Sequence, residues 1–180
     1  MLTLSLTKQG LFVNDHPIEL PGTPIATLTK AVGKEPRVTR LEHNDLYSYD
    51  SDGVLAYCAP KTDIVHTVSA EYQDIYDRDF APKTSFGGTI AWGKERFGPT
   101  DAARLLAFVR KEATRQKLKV KGSVALTHGN LRVYCEFDAT KKTVASIDFS
   151  QIEADEGADP PIEPPPGKGV AFSDCTTAKS

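Results

Sequence analysis

The sequence predicts an α+β fold made of two tandem copies of one unit, in which a β-hairpin is followed by a helix and a three-stranded antiparallel meander. Residues 44–69 and residues 124–150 carry this prediction because their parts come in the same order. Each stretch reads as a strand, a glycine-containing turn, a strand that ends in Tyr-Cys, a loop and a last alternating strand. A short helical pattern precedes both stretches. The sequence therefore favours duplication over one continuous parallel sheet.

These elements divide the chain into four parts. The first copy is predicted at residues 1–73 and the second copy at residues 86–150. Residues 74–85 form an acidic connector between the copies. Residues 151–180 are a proline-rich C-terminal tail without periodic apolar residues, and we expect this tail to be extended or disordered.

The first copy begins with leucines that alternate with polar residues, which indicates a strand. A turn at Asn14-Asp15 then makes a hairpin. Thr23-Pro24 is typical of a helix N-cap followed by the first helical position, and Gly33 ends the predicted helix. Its apolar residues share one helical face: Ile25, Leu28 and Val32.

The second copy repeats this order. A strand that ends at Trp92 and a turn at Gly93-Lys94 lead to a longer helix, for which Thr100 is the expected N-cap. One helical face carries Ala102, Leu106, Val109 and Ala113, and the basic residues lie elsewhere on the helix. We interpret those basic residues as a solvated face.

The orientation of the meander follows from alternation in the second copy. Leu131, Val133, Cys135 and Phe137 alternate with polar residues, so Cys135 is expected to face the core. Transferred to the first copy, the same rule places Cys58 inside and Tyr57 outside. A two-residue turn at Asp52-Gly53 would place Tyr49 opposite Ala56 and Tyr47 opposite Cys58.

Composition excludes several classes of function. The net charge of −2 argues against nucleic acid and anionic membranes as partners. No apolar run approaches the roughly 18 residues of a spanning helix, and no basic segment followed by an apolar run opens the chain, so we expect a cytoplasmic protein. The three cysteines lack CxxC spacing, which is inconsistent with a disulfide framework or a zinc site.

No arrangement of residues in the sequence predicts catalysis. The histidines are scattered, and none has a second ligand at metal-binding spacing. Cys58 and Cys135 fall on inward-facing strand positions, where a thiol is a poor nucleophile. We therefore expect no enzyme activity, no metal and no cofactor.

Surface charge and aromatic residues suggest a protein partner instead. Acidic residues gather at the first-copy turn and in the connector, where they would accelerate association with a basic protein. Tyr57 and Trp92 are expected to be exposed and to anchor the contact. The predicted partner-binding residues are Asp50, Asp52, Tyr57, Asp74, Asp77, Asp79 and Trp92.

Two segments of the first copy resemble known families. The sequence AVGKEPRV at residues 31–38 is similar to the helix-ending Gly-x-x-Pro of the helix-on-sheet units in the beta-lactamase inhibitor protein and in outer-membrane assembly lipoproteins. The sequence YSYDSDGVLAY at residues 47–57 is similar to the hairpin that follows in those units. The signal and lipidated cysteine of such lipoproteins have no counterpart here, so the envelope role is not expected to transfer.

The chain also resembles bacterial immunity proteins of secreted interbacterial toxins. This resemblance implies a cytoplasmic, non-catalytic protein that binds and neutralises a cognate toxin. The alternative is a ligand- or substrate-binding accessory protein of a bacterial pathway. A homodimer is compatible with either function.

Overall fold

The computed structural model describes residues 1–73 and 79–152, which form a mixed α+β fold with mostly antiparallel strands and two helices. This confirms the predicted α+β class. In chain order the elements are β1 Thr3–Thr7, β2 Gly10–Val13, β3 His16–Ile18, α1 Ile25–Val32, β4 Arg37–Arg40, β5 Asp45–Tyr49, β6 Val54–Cys58, β7 Val65–Glu71, β8 Thr89–Trp92, β9 Glu95–Phe97, α2 Ala102–Arg115, β10 Ser123–His128, β11 Leu131–Phe137 and β12 Val144–Gln151.

Two sheets are formed, and each takes strands from both halves of the chain. The five-stranded sheet has the order β3-β2-β1-β8-β9, and the seven-stranded sheet has the order β10-β11-β12-β7-β6-β5-β4. The halves meet where β1 pairs with β8 and where β7 pairs with β12. The β1–β8 pair is parallel, which departs from the all-antiparallel expectation.

One apolar core lies between the sheets and helices. Leu4, Leu28, Val109 and Phe149 come from four different elements and are completely buried in the same cluster. Burying a side chain of this size contributes about 1.5–3 kcal/mol. Among the described residues, no helix has the length and the apolar character needed to cross a membrane.

The β5–β6 hairpin differs from the predicted one by two residues. Tyr49 pairs with Val54 and Tyr47 pairs with Ala56, because the turn spans the four residues 50–53 instead of Asp52-Gly53 alone. A shift by an even number of residues leaves each side chain on its predicted face. Cys58 and Cys135 are accordingly buried, as predicted.

The helices begin without the predicted caps. Pro24 and Asp101 occupy the N-cap positions in place of Thr23 and Thr100, and neither makes a side-chain capping bond. The Asp101 carboxylate instead accepts a hydrogen bond from the backbone N–H of Gly98, at 2.8 Å. Helix start signals therefore located the helices to within one residue.

A strap, residues 79–86, covers part of the outer face of the seven-stranded sheet. The Ser48 hydroxyl donates to the Phe80 carbonyl at 2.5 Å, and Arg37 donates to the carbonyls of Asp79 and Ala81. Leu55 pairs with Ser48 and is completely buried, although alternation points it away from the core.

Candidate functional site

The strongest candidate site is an edge groove beside β4. β4 is the last strand of the seven-stranded sheet, and no strand pairs with its far side within residues 1–73 and 79–152. An open groove of about 720 Å³ lies between this strand and α1. Its lining residues are Ile25, Ala26, Thr29, Lys30, Gly33, Lys34, Glu35, Pro36, Val38 and Tyr47. We call it the edge groove.

Large apolar side chains are exposed at this edge. Val38 and Leu41 are each 45% exposed, and they are close neighbours along the chain. The other large exposed apolar residues among those described lie elsewhere and separately: Met1, Leu118 and Ile152. Single exposed apolar residues are ordinary, whereas two of them three positions apart at one sheet edge, with Val38 lining the groove, indicate a binding surface.

Arg40 lies two residues beyond Val38 on β4, where it lines a neighbouring cavity of about 460 Å³, and it is held there through one nitrogen. Its Nη1 contacts the carboxylate of Asp45, donates to the Tyr47 hydroxyl at 3.2 Å and lies 3.9 Å from the Asp63 carboxylate. The Tyr47 hydroxyl in turn donates to Asp63 at 2.5 Å. The guanidinium is therefore fixed in place, although its side chain is 59% exposed.

Within the described part of the chain, neither Nε nor Nη2 of Arg40 donates a hydrogen bond. These atoms form the planar edge that binds a carboxylate through two parallel hydrogen bonds. The Tyr47 hydrogen bond, ahead of the one to Asp45, raises the pKa of Arg40, so its charge is permanent. Burial, followed by the hydrogen bond to Asp63, raises the pKa of Tyr47, which stays a neutral phenol.

The backbone of β4 presents hydrogen-bonding groups to solvent. The N–H of Leu41 donates to the carbonyl of Asn44, so these two residues form a hydrogen-bonded pair. Because hydrogen-bonded pairs alternate with other pairs along an antiparallel ladder, Thr39–Leu46 and Arg37–Ser48 are also hydrogen-bonded pairs. The N–H and C=O groups of Val38 and Arg40 consequently point away from the sheet. This is the arrangement to which another strand can add.

The opposite edge of the same sheet, β10, is partly closed. The Gln116 side-chain amide donates to the Thr127 carbonyl at 3.0 Å and accepts from the Thr127 N–H at 2.9 Å. A side chain thus satisfies the outward backbone groups that a strand would otherwise use. No described side chain makes a comparable bond to the outward backbone of β4.

The acidic candidates at the turn serve internal contacts. Asp50 accepts from Nε and Nη2 of Arg37, each at 3.0 Å, and from the N–H of Lys83. Asp52 forms an ion pair with Lys34 at 3.0 Å. The hydrogen bonds from Arg37 chiefly lower the pKa of Asp50. Both charges are thereby largely compensated within the protein.

The remaining candidates are spread over the molecule. Tyr57 faces outward as predicted and is half-buried on the seven-stranded sheet. Trp92 was expected to be exposed, and this expectation is wrong, because the side chain is 4% exposed against Phe108 and His128. Asp79 is exposed at the start of the strap. Asp74 and Asp77 lie outside the described residues, as does the tail beyond residue 152.

Sequence reasoning missed the residues of the edge groove. The sequence predicted no functional role for Val38, Arg40 or Leu41. A signal was available in the run Arg-Val-Thr-Arg after Pro36, because charged residues and a nearby proline are typical of an edge strand. That signal does not reveal which face of the strand is open.

Comparison with known proteins identifies a family. A family described as "Domain of unknown function (DUF7738)" matches residues 3–101, which are more than half of the chain. The chain belongs to this family. The matched residues run from β1 to the residue before α2 and include the edge groove. No curated protein matches the chain.

A solved structure shows a distant likeness. It is a cysteine-rich secretory protein from Staphylococcus aureus subsp. aureus Mu50, with 15% sequence identity and a TM-score of 0.37. The match covers 73% of this chain and 44% of that one, so the chain spans less than half of its length. At this level of similarity the likeness carries no argument about function.

The cysteines have the environment of core residues. Cys58 and Cys135 are fully buried, and burial raises the pKa of the Cys58 thiol to about 12. Burial also raises the pKa of Cys135. Neither thiol forms appreciable thiolate at neutral pH. Within the described part of the chain, no group of three or more potential metal ligands is present.

Trp92 and His128 form a contact that should respond to pH. The Trp92 indole N–H donates to His128 Nδ1 at 3.2 Å, which requires an unprotonated Nδ1. Burial is the main reason that the pKa of His128 is lowered. The unfolded state therefore binds the proton of His128 more readily than the folded state does. The free energy of unfolding should keep its full His128 contribution above about pH 6.5, and it should fall as the pH drops from there towards the pKa of His128 in the folded protein.

We expect the emission of Trp92, the only tryptophan in the sequence, to change as the pH is lowered below about 6.5. Replacing His128 with phenylalanine removes the acceptor and the titrating group together. Fluorescence titration of this variant should be flat over the same range. A variant that keeps the wild-type titration would assign the change to another group.

Proposed function

We propose that this protein is a non-catalytic, cytoplasmic immunity protein that binds and neutralises a cognate secreted bacterial toxin. The exposed apolar pair Val38 and Leu41 beside the edge groove supports a protein partner, because such surface is costly to leave in water without a function. The choice of a toxin rests on the sequence resemblance to immunity proteins. Binding of the toxin by this protein would protect cells that produce or meet the toxin in interbacterial competition.

The proposed interface centres on the edge groove and not on the turn carboxylates. Asp50 and Asp52 already hold Arg37 and Lys34, so their attraction for a basic partner is reduced. The exposed Asp79 keeps its role as a candidate for electrostatic attraction. Tyr57 keeps its role as an aromatic contact on the outer face.

We also propose that the fold arose by duplication, as the tandem-unit prediction requires. Support comes from the two short hairpins, because each residue pair in the first has a counterpart the same number of residues later in the second. Leu11–Ile18 corresponds to Ile90–Phe97, and Val13–His16 corresponds to Trp92–Glu95. At the same spacing the bulged pair Cys58–Val65 corresponds to the bulged pair Phe137–Val144. In this alignment Cys58 corresponds to Phe137, and the sequence-based match of Cys58 with Cys135 is two residues out of register.

The alternative function is a ligand- or substrate-binding accessory protein. The volume of the edge groove, about 720 Å³, favours this alternative, because it lies in the range of small-molecule pockets. Its wide opening to solvent beside two apolar side chains favours a protein partner. A small-molecule function would leave exposed Leu41, outside the groove lining, unexplained.

The test is protection from a toxin encoded next to this gene. Co-expression of the full chain should restore growth of cells that make the toxin, and the purified proteins should form a stable complex. Leu41→Asp should weaken the complex by about 2 kcal/mol, or roughly 30-fold in Kd, because it places a charge against an apolar contact. Leu118→Asp is the matched control, since Leu118 is a similarly exposed leucine elsewhere.

Two results would contradict the proposal. Equal effects of the two aspartate variants would remove Leu41 from the interface. Failure of the chain to bind or neutralise any such toxin, together with saturable binding of a small metabolite, would favour the accessory function.

A further inference from the structure

We propose that the partner binds as an added β-strand, antiparallel to β4, with an apolar side chain in the edge groove and a carboxylate on Arg40. This inference rests on the proposed protein-binding function and specifies the chemistry of the bound segment. It concerns an extended segment of the partner and not a folded face.

The first support is the direction of the β4 backbone groups. The N–H and C=O groups of Val38 and Arg40 point away from the sheet and alternate with groups that bond to β5. An antiparallel strand would continue the antiparallel order of β7, β6, β5 and β4. Backbone hydrogen bonds would supply affinity, and the side-chain sites would supply selectivity.

The second support is the apolar site that the added strand would reach. Val38 and Tyr47 pair directly across β4 and β5, so both side chains project to the groove side of the sheet. A partner residue opposite Val38 would project to that side as well, above the exposed part of Val38 and beside Ile25. The groove has room for a branched apolar side chain.

The third support is the fixed, exposed guanidinium two residues along the strand. Arg40 lies on the same side of β4 as Val38 because side chains alternate along a strand. Its Nε and Nη2 edge is open, while Nη1 is held by Asp45, Tyr47 and Asp63. Lys30 on α1 adds a second exposed positive charge to the rim. A carboxylate two residues from the apolar side chain therefore matches the site.

Other occupants fit less well. A second copy of this chain would bring Arg37 and Arg40 of each β4 beside those of the other, and like charges on adjacent strands are destabilising. The C-terminal tail has an isoleucine beside a glutamate, Ile162-Glu163, but prolines on both sides lack the N–H donors that strand pairing needs. Both occupants are outcomes of the experiments below.

The direct test uses a synthetic peptide and the full-length, ¹⁵N-labelled protein. The probe is the end-capped heptapeptide Thr-Glu-Thr-Val-Thr-Glu-Thr. It should shift the amide resonances of Val38 and Arg40 saturably, with a Kd on the order of 1 mM, as expected for a short flexible segment. The same peptide with lysine in place of glutamate, or with N-methylated valine and glutamates, should bind at least about tenfold more weakly.

Variants of the protein test the same contacts from the other side. Val38→Pro removes an outward N–H that no described strand uses, a position at which proline is tolerated on an edge strand. It should weaken peptide binding at least about tenfold, whereas Ala125→Pro, the same change at an outward position of β10, should alter it less than about twofold. Arg40→Lys keeps the charge, loses the two-point contact and should weaken only the glutamate peptide.

The outcomes separate this inference from the proposed function. No shift at millimolar peptide, equal binding of the lysine peptide, or shifts centred on β10 would each overturn strand addition at β4. Self-association that Val38→Pro abolishes would make the occupant a second copy, and tight peptide binding only after removal of residues 153–180 would make it the tail. A toxin that binds Val38→Pro at full strength would leave the immunity function standing and refute the strand.

Discussion

Replacing Gly53 with alanine is expected to lower the free energy of unfolding by about 3 kcal/mol or more, through backbone strain and steric overlap together. Gly53 has a φ of +67°, which residues other than glycine rarely adopt. A Cβ there would lie 2.2 Å from the backbone nitrogen of Phe86. Since the obstacle is main chain, the β5–β6 turn and the strap would have to separate.

The matched control for this variant is Gly93→Ala. Gly93 has a φ of +62° in the β8–β9 turn, and a Cβ there would meet nothing within 4 Å. It should therefore show the strain alone, at about 1 kcal/mol. Urea unfolding of both variants measures the difference. Equal losses for the two glycines would mean that the strap does not press on the turn.

The second large effect is expected from Asp50→Asn. This substitution removes the charge that binds Arg37 through two hydrogen bonds and also accepts from the strap at Lys83, so we expect a loss of about 1–2 kcal/mol. Asp52→Asn makes the same change two residues further along the turn, where the Lys34 partner is 51% exposed, and should cost less than about 0.5 kcal/mol. Urea unfolding at pH 7 compares the two variants.

The pH dependence of this difference gives a second readout. The pKa of Asp50 is lowered in the folded state, chiefly by the hydrogen bond from Arg37. The contribution of Asp50 to the free energy of unfolding is therefore fully present above the ordinary aspartate pKa of 3.8, and it is lost as the pH falls through the lower pKa of the folded protein. Wild type and Asp50→Asn should therefore converge in stability below pH 3.8. A difference that persists unchanged into that range would assign the effect to packing instead of charge.

Local patterns were sufficient to predict most elements and faces. Alternation around Cys135 predicted correctly that both cysteines are buried, and the Thr23-Pro24 and Gly33 signals bracketed α1. The register of β5 on β6 was wrong because Asp52-Gly53 resembles a two-residue turn, whereas the strap against Gly53 favours a four-residue one. That contact joins residues too far apart for local sequence to reveal.

The candidate site was harder to predict for the same reason. Trp92 looked like an exposed anchor at a strand end, but α2 and β10 bring Phe108 and His128 over it. No role was predicted for Val38 and Leu41, which are exposed at the edge of the sheet where no described strand follows β4. Strand order depends on tertiary pairing, which periodicity does not encode.

The interleaving of the two halves has a consequence for biosynthesis. Thr3 must wait for Thr89 before the β1–β8 pair can form, and Ala70 must wait for Ile147 before β7 gains its second neighbour. While the chain is still on the ribosome, both strands therefore present unprotected edges. Long-range pairing of this kind slows folding and exposes nascent chains to aggregation. The time between synthesis of β7 and release of β12 is when a chaperone would be most useful to this protein.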